Sequence, residues 1–242
     1  MQPLLYGELV DWYRLLDPPD DHADEVASFI AAFERAIEGP STTLLELGSG
    51  AGHNAVHLAQ RFTCTLSDVS APMLELGRAL LPDAEHVLGD MRTLRLGRSF
   101  DAVLVHDAVT YMTTEADLRA AIETAYLHTR PGGAAIFTPD QLRESFSEST
   151  ELHEADDGER SLRCMMWSWD PDPHDTACMT EYAFLLRDGT DVRAVHERHV
   201  EGLFPRATWI ALLEGVGYRV EGIARPIGDG EHDEVLLCRR PR

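Results

Sequence analysis

The run Leu44-Leu45-Glu46-Leu47-Gly48-Ser49-Gly50-Ala51-Gly52 sets a glycine-rich turn between a β-type stretch and a helix-like one. Glycines at such a turn tolerate positive φ and let a ligand come close to the backbone. By itself the turn indicates a nucleotide-like ligand or merely a tight bend. Two absences narrow the ligand: the dinucleotide fingerprint wants a third glycine where this chain has His53, and a phosphate loop wants a Gly-Lys pair that is missing. Glu46, just ahead of the first glycine, suits a cationic amino group rather than a pyrophosphate. Asp68, in Leu66-Ser67-Asp68-Val69-Ser70, falls where a ribose-binding carboxylate belongs in a Rossmann-like sheet. In Gly89-Asp90-Met91, the carboxylate can accept from an adenine amino group while Met91 packs on the ring.

A second group of residues offers acid–base or positioning chemistry. Tyr6, Trp12 and Tyr13 lie near the N-terminus, His106, Asp107 and Tyr111 follow a fourth strand, and His196 and His199 sit in a β-rich stretch. Strand ends facing the crevice of an α/β sheet are where ligands bind, which favours site contact for His106 and Tyr111. The tyrosines near the N-terminus serve equally well as pins for a terminal segment. On a strand, His196 and His199 face opposite ways and cannot form one metal pair, so at least one is expected to be structural. His53 and His57 have helical ligand spacing but lack the glutamate of an H-E-x-x-H motif, and no metal is expected. Trp167, Trp169 and Trp209 could line a pocket, with core packing the more common role.

These residues need a scaffold, and the hydrophobic pattern supplies one. Helical periodicity covers residues 24–37 and stops at Gly39-Pro40; strands are expected at 42–47, to Asp68, at 86–88, 101–106 and 134–138, with helices at 54–61, 71–80 and 115–129. That alternation reads as a parallel sheet with covering helices. Pro131-Gly132-Gly133 is expected to be a turn before the fifth strand. Beyond Pro139, residues 162–169, 177–187 and 191–199 read as consecutive strands, with Asp188-Gly189 as a hairpin signal. Cys178, Thr180, Tyr182, Phe184 and Leu186 then share one face. A helix at 206–215 and strands at 218–224 and 234–238 close the chain; the acidic stretches 17–24 and 151–159 read as solvated loops.

The expected architecture is an α/β fold: a Rossmann-like, mostly parallel sheet with helices on both faces, plus a small inserted antiparallel β cap. Its divisions are an N-terminal helical segment over 1–40, a binding core over 41–140, the cap over 141–204, and a helix and two strands over 205–242 that complete the core.

Composition sets the outer limits. The chain has 242 residues, 44% of them hydrophobic, enough for one good core with a small added lobe. Against 21 basic residues stand 42 acidic ones, a net charge of -21 that disfavours nucleic acid and anionic membranes as partners. The Arg239, Arg240 and Arg242 cluster reads as a solvated tail. The sequence contains no lysine, which excludes Schiff-base chemistry and a phosphate-loop lysine. Cys64, Cys164, Cys178 and Cys238 are scattered and expected to be reduced. With neither a spanning segment nor a leader pattern from Met1 to Asp11, a cytoplasmic enzyme is expected.

In order and spacing, residues Glu46 through Gly52, Asp68, Asp90-Met91, His106-Asp107-Ala108 and Pro131-Gly132-Gly133 resemble the class I S-adenosylmethionine-dependent methyltransferases. The resemblance implies that S-adenosylmethionine is the cofactor and that Gly48, Gly50 and Gly52 back its methionine portion. It also implies that Asp68 holds the ribose, that Asp90 and Met91 hold adenine, and that His106 lies near the sulfur, with Met73 and Tyr13 in the same set. The N-terminal tyrosines, the inserted strands and Arg198-His199-Val200-Glu201-Gly202-Leu203-Phe204 are similar to sugar-amine N-methyltransferases, a looser match than the core. His53 departs from the family pattern and bears on how the methionine carboxylate is held.

The function expected on these grounds is methyl transfer to a small-molecule acceptor, an amino sugar or another secondary metabolite, at nitrogen or oxygen. His199 and Tyr111 are the catalytic candidates, and Tyr6, Asp107, Tyr111 and His199 the acceptor-side set. A homodimer is left open. The rival from another class is a non-catalytic nucleotide-binding protein that keeps the fold; three carboxylates held at ligand spacing speak against it.

Overall fold

The computed structural model describes residues 3–228 and 231–242. A seven-stranded sheet forms from β1 (Thr43–Leu47), β2 (Thr63–Asp68), β3 (Glu85–Leu88), β4 (Phe100–Val105), β5 (Thr129–Phe137), β10 (Arg219–Gly228) and β11 (Glu231–Arg239). Its order is β10-β11-β5-β4-β1-β2-β3, and β1 to β5 run parallel while β11 is antiparallel to both neighbours. The helices are α1 (Val10–Leu16), α2 (Ala23–Ala36), α3 (His53–Leu58), α4 (Ala71–Leu80), α5 (Glu115–His128) and α6 (Arg206–Gly215). β4 is buried along its whole length, as a central parallel strand covered on both faces should be.

Local chemistry explains the boundaries. In α2, Val26, Phe29, Phe33 and Ala36 fall on one buried stripe against Leu44, Leu104 and Ile136 of the sheet. Ser70 caps α4 by accepting from the Met73 amide, with Pro72 in the first turn, and Thr114 caps α5 at the Asp117 amide. On the other sheet face, Leu118, Ile122 and Ala125 of α5 pack with Trp209, Leu212 and Leu213 of α6.

Between β5 and α6 the chain builds a separate antiparallel sheet from β6 (Ser149–Asp156), β7 (Arg160–Trp169), β8 (Ala177–Asp188) and β9 (Asp191–Gly202), in that order. Gly189, at φ +56, turns β8 into β9. Cys178, Thr180, Phe184 and Leu186 are buried on one face as alternation requires, with Tyr182 half-buried among them. The N-terminal segment packs against both sheets. Leu5, Leu9 and Trp12 pack on Leu162, Cys164, Phe184 and Leu186 of this second sheet, whereas α2 belongs to the main one.

Several expectations are corrected. Residues 149–156, of which 151–156 were expected to be loop, form β6 and pair along their full length with β7. An edge strand exposed on both sides carries charges such as Glu151 and Glu154, so its pattern looks like loop. The acidic stretch at 17–24 contains a 3-10 turn, Pro19–His22, and Asp17 is engaged rather than solvated. Pro131-Gly132-Gly133 lies within β5, where Gly132 takes φ +76. The arginine tail is tied down: Arg239 pairs with Glu221, Arg240 donates to the Tyr126 and Thr129 carbonyls, and Arg242 pairs with Glu38. All four cysteines are buried and unbridged.

Candidate active site

The glycine loop runs from the end of β1 into α3, and Gly48, Gly50 and Gly52 have φ of +76, +53 and +79. At Gly48 a Cβ would collide with Ala108 and lie 2.8 Å from Met91 Cε; at Gly50 it would lie 3.3 Å from Met73 Cε. Both positive φ and close approach therefore demand glycine at Gly48. Asp68, at the end of β2, accepts from the Gly50 amide at 2.8 Å and the Ser70 amide at 2.7 Å, which ties the loop to the adjacent strand. Burial raises its pKa against those amides.

Glu46 is 1% exposed. One of its oxygens accepts from Asn54 at 3.2 Å, and the other has no partner. Burial pushes its pKa up to about 7, with Asn54 and His106 opposing. Ser49 Oγ, His53 Nε2 and Asn54 Oδ1 are also buried and unpartnered. Four orphaned polar atoms around one glycine turn are costly unless a ligand satisfies them. A compact zwitterion with an amino and a carboxylate group would do so, and this is the fit expected of the methionine portion of S-adenosylmethionine.

Asp90 and Met91 follow β3. Asp90 grips Arg92 through both oxygens, at 3.0 Å to Nε and 2.6 Å to Nη2, and Arg92 lowers its pKa. Arg92 reaches on to Asp117. The carboxylate expected to accept from an adenine amino group is thus already in an ion pair, though with accepting capacity left. Met91 is buried beneath Gly48.

His106, at the end of β4, lies between two carboxylates: Nε2 is 3.0 Å from Glu25 and Nδ1 is 3.2 Å from Asp107. Burial would lower its pKa, yet Asp107 and Glu25 outweigh it and raise it to about 9. Arg225 pairs with Glu25, Asp107 and Asp233 around the same group. Asp107 also accepts from Thr138 at 3.0 Å. Asp140 bonds Asp107, and burial together with that neighbour drives its pKa well up.

The N-terminal segment lies over the loop. Tyr13 stacks on His53 at 5.3 Å and donates to Asp17. Asp17 also takes His22 at 2.8 Å and His53 at 3.3 Å; against burial, these hold its pKa well below the carboxylate range. Asp17, His22 and His53 each offer a donor within 4.8 Å of the other two, and the contacts among them are those of a hydrogen-bonded cluster. His57 bonds the Pro19 carbonyl, which separates its role from that of His53.

Tyr6, Tyr111 and His199 converge from three parts of the chain. The Tyr6 and Tyr111 hydroxyls are 2.7 Å apart, and the Tyr111 hydroxyl is 2.8 Å from His199 Nδ1. Tyr182 is 4.4 Å from the His199 ring. His199 is 1% exposed and faces inward, whereas His196 faces out and pairs with Glu181. Trp209 is core, and Trp167 and Trp169 stack on the outer cap face, away from this cluster.

Of the residues expected on the acceptor side, the structure brings Tyr6, Tyr111 and His199 into contact and sets Asp107 against His106. Sequence reasoning missed Asp17, Glu25, Asp140, Glu197, Glu201 and Arg225. Alternation along β9 could have found Glu197 and Glu201 beside His199, because i and i+2 share a face; the others leave no local signal.

A methyltransferase-domain family model matches residues 44–133. The chain is 33% identical over 204 residues to the dTDP-3-amino-3,4,6-trideoxy-alpha-D-glucopyranose N,N-dimethyltransferase of Streptomyces venezuelae, covering 83% of this chain and 85% of that one. The crystal structure of Streptomyces venezuelae DesVI superimposes with a TM-score of 0.85 and 26% identity over 98% of both chains. At 24% identity, 99% coverage of both chains and a TM-score of 0.79, S-adenosylmethionine-bound CalS10, an amino pentose methyltransferase from Micromonospora echinaspora, shares the fold.

Proposed function

The chain belongs to the S-adenosylmethionine-dependent methyltransferases, and from that premise we propose that it methylates the amino group of a nucleotide-linked amino sugar. The observation that carries the choice of acceptor is the cluster of rings and acids that meets the glycine loop through Tyr13 and His53. Tyr6, Tyr111 and Tyr182 supply ring faces, and Asp107, Asp140 and Glu201 supply carboxyl groups. Rings and acidic side chains together suit a cation, whose approach would favour ionisation of acids that burial holds protonated, and an amino sugar enters as its ammonium form. The relative with 33% identity acts, by its name, on a dTDP-3-amino sugar.

For the cofactor, the unpartnered oxygen of Glu46 is the group we assign to the amino nitrogen, and Ser49, His53 and Asn54 those we assign to the carboxylate end. Asp68 keeps lone pairs for two ribose hydroxyls while it holds the loop. Met91 and Asp90 are assigned to adenine, with Met73 and Tyr13 along the loop and His106 toward the sulfur. When bound, the cofactor supplies an electrophilic methyl whose bonding pair returns to sulfur as the acceptor nitrogen attacks. The chain's task is then alignment and exclusion of water. The segment carrying Tyr6 and Tyr13 closes the site from above: the Tyr6 carbonyl accepts from Ser70 at 2.6 Å, and Leu5 and Leu9 are anchored in the cap.

Among the described residues no helix is long and apolar enough to cross a membrane. We take the enzyme to act in the cytoplasm, and its net charge of -21 disfavours nucleic acid and anionic membranes as partners. We read the outer cap face, where Leu152, Met165, Leu185 and Val192 are exposed, as the surface for a homodimer, and a monomer in light scattering would remove that idea.

The test is a mass-resolved assay with S-adenosylmethionine and a dTDP-3-amino sugar, beside the same sugar bearing a hydroxyl in place of the amine. One or two methyl groups on nitrogen, with the hydroxyl sugar inert, is the expected result. Methylation of oxygen alone would overturn the choice of an amino acceptor.

A further inference from the structure

Glu197 lies two residues before His199 on β9, on the same inward face, and is 7% exposed. Its Oε1 is 3.1 Å from His199 Nε2. The ring N–H points off the line to that oxygen, so the contact is electrostatic rather than a well-formed hydrogen bond. His199 Nδ1 faces the Tyr111 hydroxyl at 2.8 Å, and Tyr111 meets Tyr6 at 2.7 Å. An Nδ1 that accepts from Tyr111 leaves the imidazole proton on Nε2, toward Glu197. The series is carboxylate, imidazole, phenol, phenol, and Tyr6 at its end belongs to the acceptor-side set proposed above.

The same carboxylate has a second duty. It accepts from the amides of Leu4 at 2.5 Å and Leu5 at 3.2 Å, so the N-terminal segment docks on the group that faces His199. Burial would raise the Glu197 pKa, yet His199 and these amides outweigh it and keep the group ionised. The other groups facing His199 are Glu201 on its own strand, Tyr182 on β8, and Tyr6 and Tyr111 from the N-terminal segment and the turn after β4. Asp140 and Glu201, like Glu197, act electrostatically on Tyr6. Glu197 stands out among these carboxylates because it touches both His199 and the N-terminal backbone.

An ammonium acceptor has no lone pair, so a proton must leave before each methyl is received. We propose that Glu197 is a positioning residue that poises His199, through Tyr111 and Tyr6, to receive this proton, and that docking of Leu4 and Leu5 on Glu197 completes the path. In the step, an N–H bond of the acceptor breaks and leaves its pair on nitrogen. The proton passes to a phenol oxygen while that phenol's own proton moves on, and His199 Nδ1 receives the last one. The positive charge moves from acceptor nitrogen to an imidazolium beside a carboxylate; none is created. Undocking of the segment then returns the proton to water. This rests on the amino acceptor proposed above.

The test is Glu197→Gln, which removes the charge and keeps an oxygen for one of the two amides, since Leu4 bonds Oε2 and Leu5 bonds Oε1. We expect kcat with the amino sugar to fall by about tenfold and the acid limb of kcat/KM to move down by about one pH unit, because an amide no longer holds the proton on the path. Cofactor Kd should be unchanged, and Glu197→Asp should restore part of the loss. Independently of turnover, nitrogen NMR of His199 should show the Nε2–H tautomer in the wild type and lose that preference in Glu197→Gln. An unchanged pH profile together with an unchanged tautomer would overturn the proposal. Should Glu197→Gln not fold, Tyr111→Phe preserves the packing and cuts the path, and a wild-type pH profile in that variant overturns it equally. If the wild type methylates no amine, the amino-acceptor assignment fails, while the tautomer measurement still decides the link between Glu197 and His199.

Discussion

The two halves of the site are built differently. On the cofactor side, Gly50 and Asp68 bond across 18 residues of sequence and Glu46 and Asn54 across 8, all within one strand-turn-helix-strand unit. On the acceptor side, Tyr6 and Tyr111 are 105 residues apart, Tyr111 and His199 are 88, and Leu4 and Glu197 are 193. The first half is assembled by local folding and the second only once the cap, the turn after β4 and the N-terminal segment have come together. A local unit can hold one cofactor unchanged while the distant pieces vary, which divides the common chemistry from acceptor choice along the chain itself.

The largest expected effect lies where the local unit is tightest. Gly48→Val places a branched side chain at φ +76 against Ala108 and Met91, and cofactor binding should fall by more than about a hundredfold through strain and overpacking. Calorimetry measures it; near-normal affinity would show that the loop is more adaptable than the contacts allow. On the acceptor side, Leu9→Ala empties a fully buried position between the N-terminal segment and the cap, at a cost of about 3 kcal/mol. If the halves are separable, acceptor KM rises more than cofactor Kd. An equal rise in both would mean that Tyr13, on the same segment, couples them.

Asp68→Ala tests the cofactor half at its hinge. If Asp68 holds the ribose as proposed, its loss should weaken cofactor binding by about 2 kcal/mol, and loss of the Gly50 and Ser70 contacts should also lower the melting temperature. Unchanged affinity would remove Asp68 from the site.

The legibility of each half in the sequence divides in the same way. Glu46, Gly48 and Asp68 are legible because a strand, a turn and the next strand end fix their spacing, whatever the rest of the chain does. β7, β8 and β9 are legible from alternation. β6 is not, because a charged edge strand shares its composition with a solvated loop. Asp17 and Glu25 look like members of acidic surface runs, and only the fold reveals the histidines and Arg225 beside them. Asp140 has no periodic signal that separates it from the many other acids of a chain with 42, whereas Glu197 shares a strand face with His199 and is legible once β9 is read as a strand.

His106 stands on the seam between the halves, held by Glu25 and Asp107, and its pKa gives a test in pH. A folded pKa raised to about 9 means that its contribution is full below the unfolded value of roughly 6.5 and is lost as pH climbs through about 9. In His106→Asn that part of the stability curve should flatten. If the variant loses stability over this window as steeply as the wild type, the imidazole does not carry the charge assigned to it.

The smallest effect is expected at Asp90, and its size bears directly on how local the cofactor half is. A free carboxylate facing adenine would rival Asp68 in importance. Asp90 instead spends both oxygens on Arg92, at 2.6 to 3.1 Å, in a partly exposed position where such pairs contribute little. Any hydrogen bond to an adenine amino group is then shared with a guanidinium already in place, while Met91 beneath Gly48 still offers an apolar surface. Asp90→Ala should weaken cofactor binding by less than about 1 kcal/mol, roughly fivefold or under. Arg92→Ala separates the two roles: by releasing the carboxylate, it should leave cofactor affinity level or tighten it slightly, whereas Asp90→Ala weakens it. A loss in Arg92→Ala as large as in Asp90→Ala would show that the ion pair acts as one unit and positions the loop after β3, and the local half of the site would then extend to Asp117 on α5.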